Sequence, residues 1–429
     1  MKDIYHPEVD VEDLENYVPG GYHPTLIGDI FFGGRYTVVH KLGFSGYSTI
    51  WLARDHQCQR YVSLKILTAE ASLDSPEGDI LHYLMKGDNA HPGKRFIAPL
   101  LDHFSFHGPN GHHRCLVGEP AAGSIAQSKE NSTNFMFPTD AARSIAAQLL
   151  LGVSYLHERG ICHGDLHLNN FLLRTPNFDG ISTAELYKRF GPPFEVPVRR
   201  VDGKSGAPNA PPHAIYSTVM NIPANEFNNP QIIISDYGTS FKVADTSAPS
   251  LHTPVLYAPP EDFFNEPITQ ATASDIWTLG VSMYEVLGER PLFETFAWDR
   301  DDIFAEMIST LGQPPERWWK YWQNRAEFFN EDGSWIDDFR RISTPVFRRL
   351  PQRLWDMGRG ETEQTSEWDV AGGELRALEN LLRAMMKFEP RQRSTADQLL
   401  GSEYMVKWAL PAWESQGRQK TAHPTDAKS

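Results

Sequence analysis

His163-Gly164-Asp165-Leu166-His167-Leu168-Asn169-Asn170-Phe171-Leu172-Leu173 is the stretch on which the fold turns. It carries a carboxylate, Asp165, and an amide, Asn170, five residues apart, so that one turn of chain presents both. Downstream, the apolar run Ile232-Ile233-Ile234 reads as a buried strand that delivers Asp236-Tyr237-Gly238, with the glycine permitting a sharp turn. Upstream, Val62-Ser63-Leu64-Lys65 extends a β-like run. Glu77 then opens a segment in which Ile80, Leu81 and Leu84 share one helical face while the carboxylate points elsewhere; Asp79 is the alternative acid. Earlier still stands Leu42-Gly43-Phe44-Ser45-Gly46-Tyr47-Ser48-Thr49-Ile50-Trp51, a short glycine-bearing segment before a strand.

In this order the elements resemble those of a protein kinase. The resemblance implies an α+β, two-lobed fold with a β-rich N-terminal lobe and a mainly α-helical C-terminal lobe, using ATP and Mg²⁺. Asp165 would accept the proton of an attacking hydroxyl, and Asn170 and Asp236 would hold Mg²⁺. Lys65, held by Glu77, would reach the α- and β-phosphates, and His167 stands beside the transferring group. Leu42, Gly43, Phe44, Ser45, Gly46 and Ile50 would cover the nucleotide, with Ser63, Gly118, Glu119 and Ala121 around the adenine. Ala258-Pro259-Pro260-Glu261 resembles the motif closing the activation segment, with Arg393 placed to pair with Glu261. Asp275-Ile276-Trp277 resembles the buried helix whose acid supports the catalytic loop.

Gly20-Gly21-Tyr22-His23-Pro24, Ile27-Gly28-Asp29, Gly34-Arg35-Tyr36, Lys41-Leu42-Gly43 and Ser48-Thr49-Ile50-Trp51-Leu52 narrow the likeness. They are similar to the opening of the SR-protein kinase domain, in a compact form found in filamentous fungi, and the likeness runs from about Tyr22 to Trp408. This resemblance implies phosphorylation of Ser in Arg/Ser-rich or basic proteins linked to mRNA splicing, constitutive activity, and an insert before the metal-binding Asp. It also implies a place in cytoplasm and nucleus and acids that dock basic peptides: in Trp298-Asp299-Arg300-Asp301-Asp302 the candidates are Asp299, Asp301 and Asp302. The same carboxylates would equally suit the start of a helix. The expected divisions are an extension at 1–32, the N-terminal lobe at 33–118, the C-terminal lobe at 119–413 with an insert at about 174–230, and a polar tail at 414–429.

Four departures from the kinase pattern carry consequences. His167 replaces the usual lysine, and a neutral imidazole stabilises transferring charge less than an ammonium. Gly164 replaces an arginine that would grip an activation-segment phosphate. Only Gly43 fits the three-glycine pattern well, since Ser45 and Ser48 replace the other two. Gly118 takes a position that normally carries a bulky side chain, which predicts a void behind the adenine, unless a neighbour from the helix bearing Leu81 fills it. The first and third departures are what a nucleotide-binding pseudokinase, a scaffold for basic partners, would display. A mitogen-activated or cyclin-dependent kinase is less in keeping, as the activation segment lacks a Thr-x-Tyr pair.

Composition agrees with one catalytic unit. The 429 residues are 40% hydrophobic, enough for a large core, and 55 acidic against 40 basic residues give a formal charge of −15, which disfavours nucleic acid as a direct ligand and suits a basic protein substrate. Cys58, Cys115 and Cys162 have no metal spacing and no apolar run is long enough to span a membrane, pointing to a reduced, intracellular compartment; a monomer is expected. His103, His107, His112 and His113 flank Gly108-Pro109-Asn110-Gly111, so a solvated hairpin is expected rather than a metal cluster. Trp318, Trp319 and Trp322 have helical spacing and are expected in a core rather than as a binding cage.

Overall fold

The computed structural model describes residues 4–204, 209–218, 220, 222–245, 250–294, 299–336 and 348–421, with side chains through 416. Trp298 and the last eight residues of the expected tail lie outside the described residues. The chain divides into two compact units. The first comprises Met1–Lys86, Ala98–Gly123 and Leu173–Asn221; the second comprises Gly87–Ile97, Ser124–Leu172 and Ile222–Ser429.

The first unit is built on a six-stranded antiparallel sheet: β1 (Ile30–Phe31), β2 (Tyr36–Ser45), β3 (Ser48–Asp55), β4 (Arg60–Leu67), β5 (Leu100–Gly108) and β6 (Gly111–Gly118), in the order β1-β2-β3-β4-β6-β5. Because side chains alternate across a strand, Val62, Leu64 and Ile66 of β4 share one face. They pack there with Trp51 and Ala53 of β3, Tyr36 and Val38 of β2, and Cys115 and Val117 of β6. The opposite face is apolar too. Val39, Leu52 and Tyr61 are covered by Phe178, Leu186 and Met220, which explains why β3 is buried on both sides instead of alternating with polar residues.

Phe178, Leu186 and Met220 come from the insert, and this corrects its expected place. Residues 174–221 belong with the β-rich unit rather than with the C-terminal lobe, because their helix Thr183–Phe190, capped by Ser182 and Glu185, lays Leu186 on the sheet. The extension is no separate segment either. Tyr5, Val11, Leu14, Tyr17 and Tyr22 form a buried cluster with Ala214, against the insert's antiparallel hairpin Glu195–Pro197/His213–Ile215. Residues 87–97, expected in the N-terminal lobe, belong to the second unit.

The four-histidine hairpin forms, with His107 opposite His112 and Phe106 opposite His113, but part of it is dry. His113 is fully buried and bonded to the Leu67 carbonyl at 2.8 Å, and the Asn110 amide donates to the carbonyls of Tyr22 (2.6 Å) and Asn209 (2.9 Å). Extension and insert meet on the turn, which the sequence reading left to solvent.

The second unit is mainly helical. Its longest helix, Thr139–Glu158, is buried along most of its length, which its run of Ala, Leu, Ser and Gly permits, and packs against the helix Ala271–Leu287. Trp318, Trp319 and Trp322 are core residues as expected; Trp318 stacks on Phe264 with ring centroids 5.2 Å apart. The bidentate pair Arg393–Glu261 is made at 2.7 and 2.6 Å, fully out of solvent, with Ser274 Oγ donating to the same carboxylate at 3.0 Å. Among the described residues no helix is long and apolar enough to cross a membrane.

Candidate active site

In the first unit Lys65, on β4, and Glu77, the first residue of the helix Glu77–Met85, form an ion pair of 2.6 Å. Asp79 is exposed, and Glu77 is buried on the same stripe as Ile80, Leu81 and Leu84 rather than pointing away from it as the spacing predicts, so the acid that meets Lys65 is Glu77 but its helical phase is corrected. The glycine-bearing segment is the two-residue turn between β2 and β3. Ser45 pairs with Ser48, their hydroxyls 3.0 Å apart, and Gly46-Tyr47 forms the tip. A Cβ placed on Gly43 or Gly46 would meet nothing within 4 Å, so no protein atom demands glycine at either position. That open space beside backbone N–H groups is what a phosphate chain needs. Leu42 also leans on the insert-covered cluster, and Phe44 is exposed.

Gly118 is the last residue of β6, opposite Ser63 of β4. A Cβ there would lie 3.0 Å from Ser63 Oγ and 3.5 Å from the Pro99 carbonyl. The neighbour that a side chain at this position would first meet is the Ser63 hydroxyl, which donates to the Glu119 carbonyl at 3.2 Å. Glu119 is ion-paired with Arg174, and Ala121 begins the next short strand, Ala121–Ser124.

In the second unit the loop 163–170 hangs from the buried Asp275. Its Oδ2 accepts from His163 N (2.8 Å) and His157 Nε2 (3.0 Å), and its Oδ1 from Gly164 N (2.9 Å). Burial alone would push this carboxyl up; the hydrogen bond and charge of His157, with His163 and the Gly164 N–H, outweigh it and hold the group below the ordinary carboxylate range. His163 is fully buried, which lowers its pKa against the pull of Asp275 and Asp165. Its Nε2 bonds the Ser235 carbonyl at 3.1 Å and its ring lies 5.0 Å from that of Tyr237, tying the loop to the Asp236 segment. Gly164 has φ +80°, a left-handed backbone that favours glycine, and a Cβ would press on the Thr239 carbonyl at 3.3 Å.

Asp165 is oriented from one side only. Its Oδ2 accepts from Asn170 Nδ2 at 3.0 Å and lies 3.3 Å from His167 Nε2, while its Oδ1 is buried with no protein partner. Asn170 Nδ2 also donates to the Asp165 carbonyl at 2.9 Å, which commits the amide nitrogen and leaves Oδ1 as the ligating atom. Asp236 has φ +63°, a left-handed backbone uncommon outside glycine and characteristic of functional sites. The Asp236 carboxylate and the Asn170 amide oxygen are hard oxygen donors of the kind that suits Mg²⁺.

The sequence reading missed Tyr257, one residue before the quoted Ala258-Pro259-Pro260-Glu261. Its hydroxyl donates to Glu285 at 2.5 Å, its ring lies 5.7 Å from His167, and burial with the Glu285 charge pushes the phenol well up. A lone tyrosine beside a known motif offers no periodic signal. The docking acids fare differently: Asp299 caps the helix Arg300–Leu311 by accepting from Asp301 N at 3.0 Å, and Asp301 accepts from the Trp322 indole and from Asn324. The helix-start role offered by the sequence is filled by Asp299, which stays exposed, while Asp301 ties the buried Trp322 and the exposed Asn324 to the head of that helix.

The sequence profile of the protein kinase domain matches residues 36–182 and 220–405, leaving out most of the insert. A serine/threonine protein kinase of Aspergillus fumigatus is 24% identical over 406 residues, covering 93% of this chain and 91% of that one. The serine/threonine-protein kinase SRPK of Physarum polycephalum is 27% identical over 413 residues, 92% of this chain and 91% of that one. Human SRSF protein kinase 3 is 38% identical over 168 residues, 38% of this chain and 29% of its own. A crystal structure of a kinase domain superposes with a TM-score of 0.59 at 17% identity, covering 90% of this chain and 98% of that one, a likeness of fold alone. With Asp165, Asn170 and Asp236 in the second unit and Lys65–Glu77 in the first, the chain belongs to the protein kinase family, among the serine/threonine kinases of the SR-protein kinase type.

Proposed function

We propose that this kinase transfers the γ-phosphate of MgATP to serine in Arg/Ser-rich or otherwise basic proteins, including mRNA splicing factors, as a monomer of cytoplasm and nucleus. The observation that carries the catalytic part is the asymmetry of Asp165. One oxygen is pinned by Asn170 and His167, and the other is buried without a protein partner, as a group awaiting a substrate hydroxyl would be. Bound Mg²⁺ neutralises the charge of the phosphates. Asn170 and Asp236 would hold it, Lys65 would orient the nucleotide, and Asp165 Oδ1 would align the hydroxyl and take its proton, so that positioning supplies most of the rate. The basic-substrate part is supported by the formal charge of −15 and by the names of the SRPK-type relatives, and not by Asp299 or Asp301. Labelled phosphate transfer from ATP to an Arg-Ser repeat peptide, by wild type and Asp165→Ala, tests it; wild type no faster than the variant would sink it.

A pseudokinase scaffold is favoured by one observation. His167, in place of lysine, lies against Asp165 and Asn170, 3.2 Å from the Asn170 amide. The same assay separates the two readings, since a scaffold binds the peptide without labelling it.

A further inference from the structure

β2 is paired along one side with β3, but along the other, among the described residues, its strand partner is the two-residue β1, opposite Tyr36 and Thr37, with Gly28 and Asp29 bonding Val38. From Val39 to Ser45 it would present an open edge of unpaired carbonyls. Segments outside the sheet close that edge. Tyr187 Oη donates to the Val39 carbonyl (2.8 Å), Thr218 N to the Lys41 carbonyl (2.8 Å), and Tyr22 Oη to the Ser45 carbonyl (2.7 Å). The Lys41 side chain is wholly buried. Its ammonium meets the carboxylate of Glu12 and lies 5.4 and 5.6 Å from the ring centroids of Phe44 and Trp51. Glu12 also accepts from Tyr17 Oη at 2.5 Å, and the rings of Tyr17 and Tyr22 are 5.5 Å apart, so the acid and the Ser45 contact form one assembly.

A buried ammonium in the strand leading into a turn is costly unless a partner is always present. Here the partner comes from the N-terminal segment, outside the region that matches the kinase profile. All these contacts bear on the seven residues that run into Gly46-Tyr47. We propose that Glu12 and Tyr22 are positioning residues for the nucleotide: they hold the Ser45–Ser48 turn in register over the ATP phosphates, with Tyr187 and Thr218 of the insert bracing the same strand. The proposal rests on the reading of that turn as the nucleotide cover. Ser45 and Ser48 stand where the pattern has glycines, so the backbone N–H groups must be brought to phosphate by a fixed strand rather than by a pliable one. Displacing residues 12–22 then loosens ATP and hastens ADP release without touching a catalytic group.

The test uses the full chain with Tyr22→Phe, which keeps the ring packing and deletes one hydrogen bond, and Glu12→Gln. Where Glu12→Gln fails to fold, Glu12→Leu with Lys41→Met removes charge and partner together. Amide hydrogen exchange is read at 42–48, with calorimetric affinity for MgADP and the separate KM values for ATP and peptide. The expected result for Tyr22→Phe is faster exchange at 42–48 with β4 and β6 unchanged, about five-fold weaker MgADP binding and a like rise in KM for ATP, the equivalent of one hydrogen bond, at constant KM for peptide. Unchanged exchange at 42–48 in the folded variants overturns the proposal, as does faster exchange across the whole sheet, which would mark a merely structural role. Should exchange respond as expected while neither wild type nor variant binds MgADP, the nucleotide role is overturned along with the reading of the turn, and the clamp on the strand stands alone.

Discussion

Replacing Asp275 by asparagine separates the support of the catalytic loop from its chemistry. The carboxylate accepts three hydrogen bonds, from His163 N, Gly164 N and His157 Nε2. An asparagine keeps one acceptor oxygen and presents NH₂ in place of the other. If the oxygen stays on Gly164 N, the NH₂ faces His163 N and His157; the imidazole adapts by switching tautomer, but the His163 N–H is orphaned. In the opposite orientation the Gly164 N–H is orphaned. Either way one buried donor loses its partner, which costs about 1–3 kcal/mol, and the surviving bonds lose their ionic character, worth roughly another 1 kcal/mol. The expected outcome is a protein that folds but is about 2–4 kcal/mol less stable in urea titration. Its kcat should fall at least ~10-fold, because Asp165 follows directly from the two anchored residues, while KM for ATP changes little. Asp275→Ala, which orphans both N–H groups, should cost more than Asp275→Asn. A stability within ~0.5 kcal/mol of wild type for Asp275→Asn, or equal losses for the two variants, would refute the reasoning.

Further expectations concern the site and its surroundings. Asp165→Ala and Asp236→Ala should each lower transfer by roughly 10²–10³-fold or more with urea midpoints near wild type; near-normal turnover in either would remove that residue from the chemistry. Gly118→Ala should destabilise by about 1–2 kcal/mol through its 3.0 Å approach to Ser63 Oγ, and Ser63→Ala in the same chain should recover much of it; strict additivity in the double-mutant cycle would mean that the two do not touch. His23 packs against His113, Phe31 and Phe106 with its Nδ1 unpartnered, and burial lowers its pKa to about 4. The folded pKa lies below the unfolded one, so its stabilisation is complete above pH ~6.5 and drains away as pH falls toward 4, by about 2 kcal/mol at pH 5. Urea midpoints against pH should show that slope in wild type and a shallower one in His23→Phe; identical slopes would exclude His23 as the source.

Much of the site was legible because kinase chemistry puts specific residue types at short spacings. Asp165 and Asn170 sit on one turn, Asp236 follows a strand, and Glu77 opens the helix after Lys65, although it shares the buried stripe of Ile80, Leu81 and Leu84 instead of facing away from it. Glu261 and Arg393 lie 132 positions apart and were still matched, since both belong to recurrent motifs. What escaped depends on contacts that no local period encodes. The insert reads as broken by Gly and Pro, yet Phe178, Leu186 and Met220 are spaced irregularly along it and meet only because the sheet face gathers them. Gly118 was read by its missing side chain alone, and the neighbour that a Cβ would meet, Ser63 across the sheet, is set by a strand register that the local sequence does not encode. Asp301 was read by its charge, and its bonds to Trp322 and Asn324, more than twenty residues on, left no local signal.

The closing of the β2 edge has a consequence for how the chain is made. Val39 and Lys41 leave the ribosome long before Tyr187 and Thr218, the residues that satisfy their carbonyls. For the time it takes to synthesise some 150–180 residues, at about 5–20 residues per second, the nascent sheet has an exposed, partly apolar margin able to pair with another strand. The β-rich unit is thus finished by a stretch that is translated after the whole of the catalytic loop. A fragment ending before that stretch would carry every strand of the six-stranded sheet and still aggregate, and chaperone demand during synthesis should end when the insert, not the last strand, has emerged.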